Sequence, residues 1–404
     1  MSAIASRPKS LAASLVLATA LAACGGTAAP MPSTFTDAVI KRTASHSSCT
    51  WSIVKSPNKG AKLGDSNILS AVSMRNGSDV WAAGDFYDYK HSLYHTLAEH
   101  YDGMSWQISP TLDAGTEQSE FFGITTAGTT DAWAVGYSQQ TNPEGPYYTL
   151  IEHWNGYEWS IAQSDYQLGV LNAAAATGPN DVWAVGTENY PGPGVIEHWD
   201  GSHWTYTELK MSADLRSVAA LAPNDVWAVG YQSTGSRGDK TLTLHYDGTR
   251  WHRVKSPSPL HIHYEDQNWL TIVAPIASND VWALGVTRDT DYGILDQPLS
   301  LHWNGKKWRL VPFPPPGGSK QYNSVWGGTA LAANDVWAVG QVGVDTFQTM
   351  TVQWNGKAWS QVQTPPRKTA NLWGAAPDGT GGLWSVGETA IKKYVTGTLI
   401  MRCM

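Results

Sequence analysis

Asn224-Asp225-Val226-Trp227-Ala228-Val229-Gly230 is the stretch that decides how the chain folds, because near-copies of it return along the sequence at a regular interval. SDVWAAG carries Trp81, TDAWAVG carries Trp133, NDVWAVG returns at Trp183 and Trp337, NDVWALG carries Trp282, and a weaker GGLWSVG carries Trp384. Successive copies are 44 to 55 residues apart. A second signature follows the first six copies: an aromatic, Asn or Asp, Gly, two free positions and Trp. It reads YDGMSW to Trp106, WNGYEW to Trp159, WDGSHW to Trp204, YDGTRW to Trp251, WNGKKW to Trp308 and WNGKAW to Trp359. Asn-Gly and Asp-Gly pairs supply the backbone that a tight hairpin turn needs.

Each unit contains four short runs, which in the fourth copy are Leu215 to Ala219, Val226 to Gly230, Thr241 to Tyr246 and Trp251 to Lys255. Runs of this length, rich in Val, Thr and aromatics and bounded by Gly, Asn, Asp or Pro, suit strands and are too short for helices. A lone four-stranded sheet leaves edges and faces uncovered, whereas radial stacking of such sheets covers them. The repeat therefore predicts an all-β protein, a seven-bladed β-propeller of four-stranded antiparallel blades.

The chain opens on a different pattern. Arg7 and Lys9 precede an apolar run, Leu11 to Ala23, that is too short for an ordinary membrane-spanning helix. Leu21-Ala22-Ala23-Cys24 resembles the bacterial lipobox, which implies cleavage before Cys24 and lipidation of its thiol. The expected organisation is a signal peptide over 1–23, lipidated Cys24 with a flexible tether over 24–48, and the propeller over 49–404. An ordinary secretory signal cleaved near Ala23 would export the protein without an anchor. Either way the protein is exported to the cell envelope, and the lipid anchor is its expected contact with a membrane. Without residues 1–23 the chain carries 25 basic against 34 acidic side chains. With no basic run among them, phosphate-dominated partners such as nucleic acid are not expected.

Trp51-Ser52-Ile53-Val54-Lys55-Ser56-Pro57 matches the fourth run Trp251-His252-Arg253-Val254-Lys255-Ser256-Pro257, yet no first three runs precede it. The economical reading is that it supplies the outer strand of the last blade, with the C-terminal run Leu399 to Cys403 as the competing candidate. Cys49 and Cys403, the cysteines left once Cys24 is lipidated, are a candidate disulfide in an exported protein. Two independent thiols at the chain ends are the alternative.

Functional residues belong where the repeats disagree. His100, His153, His198, His245 and His302 recur at one position per unit and point to packing or hydrogen bonding, not to a common metal cluster. Asp79, Asp131, Asp181, Asp225, Asp280 and Asp335 also recur, as expected acceptors of backbone hydrogen bonds in a turn. The connections between second and third runs differ from unit to unit and are rich in aromatics, the usual character of a binding surface on a rigid scaffold. The expected ligand-binding residues there are Tyr87, Tyr89, Tyr148, Tyr190, Tyr264, Trp269 and Tyr292. His261 and His263 with Glu265 and Asp266, and the Asp289-to-Gly293 run, resemble fragments of zinc and calcium sites but lack complete ligand sets. No metal or cofactor is expected.

The motifs NDVWAVG, HWDG and the following Trp resemble the tryptophan-rich propeller repeats of exported bacterial lipoproteins, and more remotely kelch and tectonin repeats. Most copies lack the paired glycines of kelch, and the turns lack the Ser-x-Asp-x-Gly-x-x-Trp box of sialidases. The resemblance implies the fold and leaves the activity open. The favoured reading is a monomeric, non-catalytic module that binds a glycan or a protein through its aromatic-rich loop face. The alternative is a glycan-cleaving hydrolase or lyase with carboxylates near the central channel, Glu144, Glu188, Asp289 and Asp291 being the loop carboxylates to compare.

Overall fold

The computed structural model describes residues 49–404 apart from 115–117, 141–144, 165–167, 190–191, 236–237, 261–265 and 290–293. Cys24 and the expected signal peptide and tether lie outside the described residues. Every regular element among the described residues is a strand. Strand β1 (Trp51–Val54) comes first, followed by an antiparallel sheet of β2 (Ser66–Asn76), β3 (Asp79–Asp88), β4 (Leu93–Tyr101) and β5 (Trp106–Ser109). The order repeats in β6 (Gln118–Gly128), β7 (Asp131–Gln139), β8 (Tyr147–Trp154) and β9 (Trp159–Ile161). Next come β10 (Val170–Gly178), β11 (Asp181–Thr187), β12 (Pro193–Trp199) and β13 (Trp204–Ala222). Strand β13 then continues as the first strand of the following sheet, with β14 (Asp225–Ser233), β15 (Asp239–Tyr246) and β16 (Trp251–Val254). Two further sheets are β17 (Asp266–Ala277), β18 (Asp280–Asp289), β19 (Ile294–Trp303), β20 (Trp308–Leu310), and β21 (Tyr322–Ala332), β22 (Asp335–Gly343), β23 (Phe347–Trp354), β24 (Trp359–Gln361). The chain closes with β25 (Ala370–Pro377), β26 (Leu383–Lys392) and β27 (Val395–Cys403).

Strand β1 pairs antiparallel with β27, with Trp51 opposite Cys403 and Val54 opposite Ile400. In the β14–β16 sheet Trp251 stands opposite Tyr246 in the same way, so Trp51 occupies a fourth-strand position and Cys403 the position of a third-strand aromatic. Where that sheet has an Asp-Gly hairpin, Cys49 and Cys403 are joined as a disulfide, their Cα atoms 5.5 Å apart. Backbone hydrogen bonds between Thr50 and Met404 lie beside it. The C-terminal run 399–403, weighed as a competitor for the outer position, is part of the third strand, on which β1 lies.

The signature has a geometric reason for each of its residues. Its Gly faces a bulge in the first strand, as at Leu69/Ala71, Leu215/Ser217 and Leu372/Gly374. A Cβ on Gly84, Gly230 or Gly387 would fall on the carbonyl oxygen of Ile68, Asp214 or Asn371, so only Gly fits the close approach. The signature Trp is buried, and its ring stacks on the repeated His of the third strand: Trp183 on His198 at 3.9 Å, Trp133 on His153 at 4.0 Å. That His is held by the repeated Asp, at 2.9 Å for His100 and Asp79, 2.8 Å for His245 and Asp225, and 2.7 Å for His302 and Asp280. The repeated carboxylates thus bind a histidine ring and not the turn backbone that the sequence suggests, because the third strand brings the imidazole within reach. In the β22 copy Gln353 replaces the His and donates to Asp335 at 2.8 Å. Near the C-terminus Arg402 takes the place, 5.0 Å over Trp384 and bonded to Asp378 at 3.0 Å.

The other edge of each signature Trp meets the neighbouring sheet. Trp81 is edge-on to Trp159, Trp133 to Trp204, Trp183 to Trp251, Trp227 to Trp308 and Trp282 to Trp359, with ring centroids 5.2 to 5.7 Å apart. Trp337 finds the same contact in Trp51 at 6.0 Å, and Trp384 finds it in Trp106 at 5.5 Å. Apolar clusters accompany these joints, including one that joins β25–β27 residues Trp384, Val386 and Ile400 to Leu69, Val80 and Leu97 of the β2–β5 sheet.

Strands are longer than the short runs suggest, because pairing continues beyond the signature Gly once the bulge has restored register. Tyr87, expected in a loop, lies on β3 opposite Tyr94 of β4. Strand β13 runs through a segment without Gly or Pro, which accounts for the shortest spacing between signatures.

Third-strand Thr243, Ser300 and Thr351 donate to fourth-strand or adjoining carbonyls at Val254, Val311 and Val362. At the next position, where those strands carry Leu244, Leu301 and Val352, β4, β8 and β12 carry buried Glu99, Glu152 and Glu197. Ser56 donates to Glu99 at 3.1 Å and the Leu112 backbone to Glu152 at 3.1 Å. Burial nevertheless pushes each of these two carboxyls from 4.5 up to about 8, the hydrogen bonds opposing it only in part. An acid whose value rises on folding contributes stability that is full below 4.5 and lost as pH climbs through about 8. The melting temperature is therefore expected to fall as pH rises from about 5 to about 9. Glu99→Gln and Glu152→Gln should each flatten that fall. Equal slopes in calorimetric melts of wild type and variants would contradict the assignment.

Candidate functional site

One cavity of about 650 Å³ touches the first strand of every sheet, β2, β6, β10, β13, β17, β21 and β25, and is therefore the central channel between them. Strand alternation selects its lining. In each first strand one large apolar residue is buried against the neighbouring sheet: Leu69, Phe121, Leu171, Leu215, Leu270, Val325 or Leu372. The next residue faces the opposite way, into the channel: Ser70, Phe122, Asn172, Arg216, Thr271, Trp326 or Trp373. A repeated frame thus presents a different side chain from each sheet.

A second layer comes from the residue before the buried one and from its partner on the second strand. The register pairs Ile68 with Asp85, Glu120 with Tyr137, Asp214 with Tyr231, and Asn371 with Glu388. Asp85, Tyr137, Tyr231 and Glu388 each immediately follow a signature Gly. The bulge that fixes that Gly also fixes the depth at which these side chains stand.

Two walls of opposite character result. Asp85 and Glu120 form an acidic wall on two adjoining sheets, and Glu388 of the next sheet stands behind it, close enough to act on Asp85. Asp85 lines the cavity, is only 4% exposed, and its Oδ2 has no hydrogen-bond partner. Burial raises the Asp85 carboxyl well above its usual range, and the charges of Glu120 and Glu388 raise it further. Burial likewise raises Glu120 against the hydrogen bond from Tyr137, and Glu388 against that from Asn371. The Tyr94 hydroxyl is pushed up by burial and then by Glu120 and Asp85, which places it beside this wall. Trp326 and Trp373 add an indole pair with centroids 5.5 Å apart.

Across the channel Arg216 pairs with Asp214 at 2.7 Å and lies 5.8 Å over the Tyr231 ring. Tyr231 donates to Asp214 at 3.1 Å and stacks on Trp269 at 5.2 Å. Trp269 in turn donates to Asp239 at 2.8 Å and lies 5.5 Å beneath Arg288. This wall is aromatic and carries two arginines, each paired with a carboxylate. Among the described residues no three His, Cys, Asp or Glu side chains converge closely enough to hold a metal ion.

Of the expected ligand-binding residues, Trp269 lines this channel. Tyr87 packs on Tyr94 at 4.6 Å, Tyr89 covers Gly64, and Tyr148 pairs with Ser138 and bridges to Leu168; none of these three lines the cavity. Tyr190, Tyr264 and Tyr292 lie outside the described residues, as do Glu144, Asp291, His261, His263 and Glu265. Glu188 and Asp289 are described and do not line the channel, and Asp266 and Asp289 are buried at the ends of β17 and β18. Asp85, Glu120, Glu388, Arg216, Trp326 and Trp373 escaped the sequence reading because it searched the loops. For Asp85 and Glu388 a signal was present in the strands: the position after the signature Gly reads Asp, Tyr, Thr, Tyr, Val, Gln and Glu in a motif that hardly varies otherwise.

No family model matches the chain, and no curated protein matches it. Among solved structures it resembles YCF48 bound to D1 peptide, with TM-score 0.52 and 15% identity over 87% of this chain and 96% of that one. It also resembles YCF48 from Cyanidioschyzon merolae, with TM-score 0.52 and 14% identity over 87% and 98% of the two chains. A third likeness is to the extracellular domain of the one-component system BT4673 from B. thetaiotaomicron, with TM-score 0.52 and 11% identity over 87% of this chain and 40% of that one. At these identities the likeness concerns the fold alone: an all-β protein of four-stranded antiparallel sheets with propeller neighbours.

The unpartnered carboxyl of Asp85 should make the site costly to stability. Because burial raises its value, its contribution is lost as pH rises, and Asp85→Asn removes that loss. The variant is expected to melt above wild type at pH about 8, with the gap narrowing toward pH about 4. A variant that melts below wild type at both values would show that Asp85 has a partner in the folded chain.

Proposed function

We propose that the chain is an exported, lipid-anchored binding propeller, not an enzyme, that takes a protein or glycan ligand at the mouth of its central channel. The observation that carries this reading is the channel itself: a repeated frame presenting a non-repeating set of aromatic and charged side chains to one cavity. Scaffolds of this kind bind through what varies, while what repeats holds the fold. In this reading the sheets are seven blades closed into a ring by β1, which the Trp51 contact and the pairing with β27 support. Export would keep the Cys49–Cys403 bond oxidised, and the tether after Cys24 would lift the disc from the membrane. The solved YCF48 complex holds a peptide, which makes a peptide ligand an apt first probe for a disc of similar fold.

The carboxylates of the acidic wall favour one second reading, glycan hydrolysis or elimination, since burial lifts Asp85 and Glu120 as a general acid requires. Release of reducing ends from glycans retained on the protein, lost in Glu120→Gln, would favour that reading over pure binding.

The binding reading is tested by displaying wild type and the Trp326→Ala, Trp373→Ala double variant to glycan and peptide arrays. Wild type should retain ligands that the double variant loses by at least about tenfold, which corresponds to about 1.4 kcal/mol. Equal retention by a folded double variant would remove the channel from the function. For the anchor, Cys24→Ser should move the protein from the membrane fraction to the soluble envelope fraction without changing its melting temperature. An unmodified wild-type N-terminus beginning elsewhere than Cys24 would contradict lipidation.

A further inference from the structure

The channel's acidic wall is unbalanced in a way that its opposite wall is not. Asp214 is answered by Arg216, and Asp296 by Arg288, whereas Asp85 and Glu120 line the cavity, with Glu388 behind them, and among the described residues none of the three forms an ion pair with Lys or Arg. The Asp85 Oδ2 atom is buried, lines the cavity and has no partner. A buried, unpartnered carboxyl of this kind is costly to the fold, and a donor brought from outside would satisfy it.

The donor's chemistry follows from the geometry. The carboxylates stand on three separate sheets and do not converge as a metal cage does, so a compact divalent ion is a poor fit. They are nonetheless close enough to raise one another's proton affinity, so one larger cation at the wall would relieve all three. A primary ammonium has three N–H donors to share among such acceptors. The approach to the wall is largely apolar, along Ile68, Ala71, Phe122 and Ile124. An aliphatic stem suits that lining. An amino sugar would bring hydroxyls against the apolar stretch and leave them unpaired.

We infer that the mouth of the channel is a lysine-recognition site, in which the side-chain ammonium of a protein ligand is received by Asp85 and Glu120, with the Glu388 charge reinforcing them, while its methylenes run along the apolar lining. The inference rests on the channel being the binding site proposed above. It accounts for an unpartnered Asp85 in a chain that otherwise pairs its repeated carboxylates with histidines, glutamine or arginine.

The test uses the soluble disc, residues 44–404, which forms one compact unit, and two capped peptides, acetyl-Gly-Gly-Lys-Gly-Gly-amide and its norleucine counterpart. Saturation-transfer NMR gives the affinity of each, with glucosamine as competitor. The expected result is saturable binding of the lysine peptide, at least about tenfold tighter than the norleucine peptide, with weak competition by glucosamine. Asp85→Asn should abolish the preference and leave the disc folded, as its melting curve shows. Glu388→Gln serves as an independent reporter in case the Asp85 variant does not fold. Equal affinities for the two peptides, or a preference unchanged in both variants, would overturn the inference. Glucosamine displacing the lysine peptide at equal concentration would assign the wall to an amino sugar and overturn it too. If the Trp326→Ala, Trp373→Ala variant loses both peptides while Asp85→Asn and Glu388→Gln lose neither, the amine inference fails and the channel reading survives. If no channel substitution affects either peptide, both fail.

Discussion

The contact on which the rest of this structure depends is the edge-on meeting of the signature Trp with the Trp that opens a neighbouring sheet's fourth strand. It joins sheets that share hardly any backbone hydrogen bonds, so side-chain packing must hold them together. An aromatic pair in this geometry contributes about 0.5 to 1.5 kcal/mol beyond the burial of its surface. The geometry cannot be reached alone. Asp and His fix the opposite side of the ring, and Gly lets the first strand come close enough to close the space behind it. Each member of Asp-Val-Trp-Ala-Val-Gly is there to place one indole.

That contact explains why a stray strand at the start of the chain matters. Trp337 would have an empty neighbour if the last sheet ended at β27; Trp51 fills the place, on a strand whose backbone pairs with β27. The disulfide of Cys49 with Cys403 stands where the β14–β16 sheet has its hairpin turn, so a covalent bond replaces the short loop that chain connectivity cannot supply. In the proposed closed ring, the termini meet within one sheet.

The frame was legible in the sequence because it repeats: strand order, the hairpin turns at Gly103, Gly156 and Gly248 with positive φ, and the unpaired Trp51 strand all follow from aligning the copies. The partner of the repeated Asp was not, since hydrogen bonding between positions some 20 residues apart depends on register, which spacing alone leaves free. The channel residues were missed for a related reason. Glu120, Arg216 and Trp373 sit in first strands, where a period-two pattern marks alternate faces but does not say which face looks onto open space. Trp269 was identified as a loop aromatic and proves to be a strand residue, its neighbour Leu270 buried against the next sheet. Loops differ visibly and draw attention; a single varying position inside a fixed motif is a quieter signal, and in this chain it leads to the cavity.

Trp51 does for the last sheet what Trp308 does for its own. Guanidinium unfolding of Trp51→Ala and Trp308→Ala, each against wild type under identical oxidising conditions, tests it most directly. Both substitutions remove a buried indole from the same kind of joint, and each should cost about 3 to 5 kcal/mol. A Trp51→Ala protein that unfolds with wild type while Trp308→Ala is strongly destabilised would contradict the claim, and with it the assignment of β1 as a structural member of the last sheet.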